Sequence, residues 1–79
     1  MGIAFEDYIF ISKEENKGNE YYLFYKGKDD KKGQKSIMVY YCGRNLREYT
    51  MNDASKEMIL DMVRKDIAAG SLEKQLAGF

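Results

Sequence analysis

Histidine and proline are absent from this 79-residue chain, and cysteine occurs once, as Cys42. Without histidine the chain lacks the usual general base and the commonest metal ligand. One cysteine excludes an intrachain disulfide and a CxxC redox pair. With no imidazole to draw off its proton, Cys42 reads as a small hydrophobe at the end of a strand. The missing disulfides fit a reducing, cytoplasmic setting. The absence of proline removes one slow isomerisation from folding. Long apolar runs are also missing: Glu6 and Asp7 interrupt the first ten residues where a secretory signal would be apolar, and no later run is long enough to span a bilayer, so neither export nor membrane insertion is expected. Gly2 heads no myristoylation signal, because the sixth residue is Glu6 rather than Ser or Thr.

Other motifs of chemistry fail on spacing. The adjacent acids Glu6–Asp7, Glu14–Glu15 and Asp29–Asp30 fall on opposite faces of a strand or in turns, which suits solvated charge better than an acid/base pair. The loop from Lys28 to Gly33 lacks the spaced ligands and terminal Glu of an EF-hand. No Gly-Lys-Ser/Thr follows Gly33 to form a phosphate loop. The expectation is a protein with no catalytic residues, no metal and no small-molecule cofactor.

Charge of one sign is lacking overall, with 13 basic and 13 acidic residues. The balance hides a pattern. Residues 1–25 carry two bases against five acids (net −3), residues 26–47 seven against two (+5), and residues 48–79 four against six (−2). A neutral total argues against coating nucleic acid or an anionic membrane by charge alone. The length allows one domain, residues 1–79, which removes only about 60–65% of its unfolded surface from water. Chains so small often gain stability by self-association or partner binding.

What is abundant is aromatic and β-branched sequence. Tyr8 to Ser12, Glu20 to Lys26 and Lys35 to Cys42 read as strands separated by polar, glycine-containing loops, and loops this short favour an antiparallel meander. Residues 44–50 read first as a loop, with a short fourth strand as the alternative. Thr50 with Asp53 forms a capping box that predicts a helix from Met51 to Ala69, stopped by Gly70. Its apolar arc comprises Met51, Ala54, Met58, Ile59, Leu60, Met62, Val63 and Ile67, with Glu57, Asp61 and Arg64 on the solvated side. Ser71 caps a short last helix bearing Leu72, Leu76 and Phe79. The predicted fold is α+β: an antiparallel meander of three strands, or of four where residues 44–50 add one, followed by one long and one short helix.

Splitting the strands by alternation gives two apolar faces, whereas a sheet with one wet face should show polar residues on that side. The set Ile9, Ile11, Tyr21, Leu23, Tyr25, Ile37, Val39 and Tyr41 holds most aliphatic residues and is assigned to the core beneath the helix. The set Tyr8, Phe10, Tyr22, Phe24, Met38, Tyr40 and Cys42 is richer in rings and sulfur. Either the tail and loops wrap over it, or it is a contact surface. The candidate binding residues are therefore Tyr8, Phe10, Tyr22, Phe24, Met38 and Tyr40, with Arg44 and Arg47 supplying charge. The leading expectation is a non-catalytic adaptor or inhibitor that binds a larger protein, of the stand-alone kind encoded by phages and other mobile elements, or a homodimer packed sheet to sheet. The alternative is nucleic acid stacked on the rings, with phosphate contacts from Lys26 to Arg47.

The order of three strands and a helix, in EYYLFYKGKDDKKGQKSIMVYY followed by REYTMNDASKEMI, resembles the sheet-reading DNA-binding modules of some phage-type integrases and plant AP2 domains. The resemblance covers about residues 20–63 and rests on that order and on a helix entry at Tyr49, Thr50, Asp53 and Ala54. It implies a sheet laid in the major groove with the helix behind it.

Overall fold

The computed structural model describes residues 8–27 and 33–78. Four strands, β1 (Ile9–Asn16), β2 (Asn19–Lys26), β3 (Gln34–Tyr41) and β4 (Arg44–Asn52), form an antiparallel sheet in the order β1-β2-β3-β4. Helix α1 (Lys56–Ala69) crosses one face, followed by α2 (Ser71–Gln75) and a final 3-10 turn, Leu76–Gly78. The open alternative at residues 44–50 resolves as a full strand. Glu6, Asp7, the Asp29–Asp30 loop and Phe79 lie outside the described residues.

Two hairpins are closed by two-residue turns, Lys17–Gly18 and Cys42–Gly43, in which all four φ angles are positive (52°, 82°, 53° and 79°). That is the turn whose twist matches paired strands. It carries β1 on to Asn16, past the stop expected at Ser12. It also turns Cys42 out of the strand and into solvent, which corrects its reading as a strand-end hydrophobe.

The helix starts later than the capping box predicts. Thr50 and Met51 belong to β4, and the cap is Ser55, whose hydroxyl accepts the Met58 N–H at 3.2 Å. The β propensity of Tyr49 and Thr50, paired with Ile37 and Ser36, outweighs the local capping signal. Gly70 ends α1 as expected, with φ 84° and its N–H on the Asp66 and Ile67 carbonyls.

Tyr21, Leu23, Ile37, Val39, Tyr49, Ala54, Ile59, Val63, Ile67 and Leu72 form the core between sheet and helices. Ile9 departs from its expected place: it is 67% exposed at the edge of the sheet. A bulge between Phe10 and Ser12 puts Ser12, and not Ile11, opposite Leu23. Met58 and Met62 are likewise exposed, so the helix arc is narrower than predicted. Arg64 bonds Glu14 of β1 at 3.0 Å, and Asp61 pairs with Lys65. Leu72 is fully buried in the helix-side core, which anchors the tail on that side of the sheet.

Candidate functional site

The register arranges the face opposite the helices in three rows. The central row runs Phe10–Phe24–Met38–Glu48 across all four strands. On one side lies Lys13–Tyr22–Tyr40–Asn45, and on the other Lys26–Ser36–Thr50. Aromatic residues and Met38 thus occupy the middle, and polar residues occupy the margin.

The rings pack on one another in tilted and edge-on contacts. Phe10 lies 5.6 Å from Phe24 and 6.4 Å from Tyr22, and Phe24 lies 5.6 Å from Tyr40, between ring centroids. Such geometry sets the positive edge of one ring against the negative face of the next. Met38 is fully buried, although among the described residues no helix lies on this side. Phe10 and Tyr22 stay 53% and 38% exposed.

Tyr8, just before β1, donates its hydroxyl to Glu48 of β4 at 3.2 Å. Those residues begin at opposite edges of the sheet, and neighbouring strands are about 4.8 Å apart, so Tyr8 leans across the face. Lys26 Nζ sits 5.5 Å from its ring centroid, a cation–π contact at the margin. At the far end Lys13 pairs with Glu20 at 3.6 Å. There the patch runs into a shallow groove between the two tight turns, lined by Glu20, Tyr22, Tyr41 and Cys42.

Tyr8, Phe10, Tyr22, Phe24, Met38 and Tyr40 are therefore brought together on one face, and Arg44 and Arg47 are not among them. Arg47 pairs with Val39 on the helix side, 4.6 Å from the Tyr49 ring centroid and 4.0 Å from Asp66. Arg44 is opposite Tyr41, by alternation on that same side. Lys35 is also on the helix side, buried, with its amine unpartnered. Of the residues that do rim the patch, Lys26 begins the basic segment expected to supply charge, whereas Lys13 and Glu48 escaped the sequence reading. Lys13 lay past the expected end of β1, and Glu48 required the fourth strand; alternation along longer strands would have found both.

Tyr49 belongs to a separate cluster that ties β4 to α1. Its hydroxyl donates to Asp66 at 2.7 Å. Burial, and then this bond to a carboxylate, push its pKa well above the ordinary tyrosine value. No group of His, Cys, Asp and Glu suited to holding a metal ion occurs among the described residues, and no helix among them is long and apolar enough to cross a membrane.

No family model, curated protein or solved structure matches the chain. The resemblance to sheet-reading DNA-binding modules also loses part of its basis, because Tyr49 and Thr50 lie within β4 and not at a helix entry.

Proposed function

We propose that this chain is a small non-catalytic protein-binding module, an adaptor or inhibitor, that docks on a larger protein through the aromatic face of its sheet. The observation that carries this reading is the exposure of Phe10 and Tyr22 in a ring cluster rimmed by Lys13, Lys26, Glu48 and Thr50. An apolar centre with a polar margin is the usual anatomy of a protein interface, and rigid rings lose little entropy when they bind. The tail, which could have covered this face, packs by Leu72 on the other side. Arg44, Arg47 and Lys35 are also on that other side, which leaves Lys13 and Lys26 as the described cations beside the rings, fewer phosphate contacts than the basic segment as a whole would offer.

The test is a photo-crosslinking side chain at position 22, in the cells that make the protein. The expected product is a discrete protein adduct that disappears in a Phe10→Ser background while circular dichroism shows the fold retained. Hot-spot truncation of this kind costs roughly 2 kcal/mol or more of binding. Adducts with nucleic acid alone, or none at all, would overturn the reading.

A further inference from the structure

The flank formed by β4 and the overhanging side of α1 combines two features that the aromatic face does not explain. The first is an unpaired strand edge. Asp53 donates its N–H to the Gly33 carbonyl at 3.2 Å, and these residues continue the register Gln34↔Asn52. Hydrogen-bonded and non-bonded pairs alternate along an antiparallel ladder. Met51 and Tyr49 therefore direct their backbone groups to β3, while Asn52, Thr50 and Glu48 direct theirs outward, where the described residues place no further strand. The opposite edge is blunted: β1 has a bulge after Phe10 and then Lys13, Glu14 and Glu15 in succession. β4 has its own irregularity near Leu46, opposite Val39 and Tyr40, but runs regularly from Glu48 to Asn52.

The second feature is an apolar stripe on the same flank. Met58, Met62 and Asp66 recur at helical spacing of four, and Asp66 bonds Tyr49 of β4, so this stripe overhangs β4. Arg64, bonded to Glu14, marks the β1 side. Met58 and Met62 are 56% and 42% exposed.

We propose that β4 pairs antiparallel with β4 of a second copy, about a two-fold axis at Thr50, so that two sheets join into one. In this register Thr50 meets its own counterpart and Glu48 meets Asn52, so all three outward-directed residues bond to one another. On the helix side Tyr49 meets Met51. No like charges are opposed along the seam. Neighbouring registers do worse. A two-fold at Tyr49 sets Asn52 against Leu46 in the irregular stretch, one at Met51 sets Glu48 against Ala54 beyond the strand, and one at Glu48 opposes two carboxylates. A two-fold at Thr50 also turns the two Met58–Met62 stripes toward each other above the seam, a self-complementary contact of the kind closed dimers use. Both aromatic faces then lie on the other side of the joined sheet, free for partners.

The test is mass in solution by sedimentation equilibrium. The full chain is expected to be a dimer. Thr50→Pro removes an outward N–H and no backbone bond to β3, giving up only the hydroxyl contact with Ser36 at 3.0 Å; it is a substitution that edge strands accept, and is expected to give a folded monomer. Thr50→Lys and Thr50→Glu oppose like charges at the axis, and each alone should raise the dissociation constant at least about tenfold. An equimolar mixture of those two should form a heterodimer, which keeps the proposal testable should the proline variant fail to fold. Phe10→Ser should leave the dimer intact, which separates this seam from the partner-binding face. A parent chain that stays monomeric at millimolar concentration, a dimer that survives the Thr50 substitutions, or one lost in Phe10→Ser instead would overturn the proposal.

Discussion

Met38 and Leu23 are both fully buried, on opposite faces of the sheet, and truncating each to alanine should cost different amounts. Leu23 is on an inner strand, paired with Val39 and Ser12, in the core cluster that includes Ile59 and Val63. A helix anchored at both ends collapses poorly into a void, so Leu23→Ala belongs in the upper half of the usual range of about 2–5 kcal/mol. Met38 neighbours the rings of Phe24 and Tyr40, above which the described residues place no second layer. Phe24 and Tyr40 can settle into the space, which puts Met38→Ala near the lower limit, about 2 kcal/mol. A domain of this length has about 4–12 kcal/mol in total, so Met38→Ala should stay folded across that range and Leu23→Ala wherever the total exceeds about 5 kcal/mol. Their difference of about 2 kcal/mol corresponds to roughly 8–16 °C between the two melting temperatures. Urea unfolding followed by circular dichroism, with equal slopes for both variants, would measure it. Equal costs, or a larger one for Met38, would refute the reasoning: the rings would then form a rigid core layer and not an adaptable surface.

Two further outcomes follow from the backbone and the Tyr49 cluster. Cys42 holds φ at 53° in a two-residue turn with its side chain exposed, so Cys42→Asn should stabilise the fold by about 0.5–1 kcal/mol; an unchanged or lowered melting temperature would contradict that. Tyr49→Phe should cost about 1–2 kcal/mol at neutral pH through its lost bond to Asp66. Because the folded pKa of Tyr49 is raised above the ordinary 10.0, the unfolded chain releases that proton first and the parent loses stability as pH rises past this value, while the Phe variant lacks this loss. The stability gap between them should therefore narrow in alkaline buffer, and a gap that widens would refute the assignment.

The sheet, its antiparallel order and most of its core were legible in the sequence, because alternation survives any uncertainty about pairing. Leu23, Val39, Ile59 and Val63 are buried together as the periodicities require. The errors cluster where a local signal met a tertiary one. Thr50 and Asp53 carried the composition of a helix cap, but pairing with β3 drew Tyr49 and Thr50 into β4. Ile9 fits an apolar alternation, yet the bulge after Phe10 and its place at the sheet edge leave it exposed. For the candidate site, parity alone grouped the six aromatic-face residues. Arg44 and Arg47 could not be placed without the irregularity that makes Leu46 an extra residue in β4.

Every strand of this sheet pairs with the strand made just before or just after it in the chain. Each hairpin can therefore close without waiting for distant sequence, and the entropy of loop closure stays small at every step. The helical layer is synthesised after the sheet, and Leu23, Ile37 and Val39 face water until α1 arrives. During translation the chain passes through a stage in which both sides of a finished sheet are apolar and uncovered. A nascent-chain arrest before Lys56 should therefore yield a sticky intermediate, whereas release after Leu72 should yield one face closed and the other still open for binding.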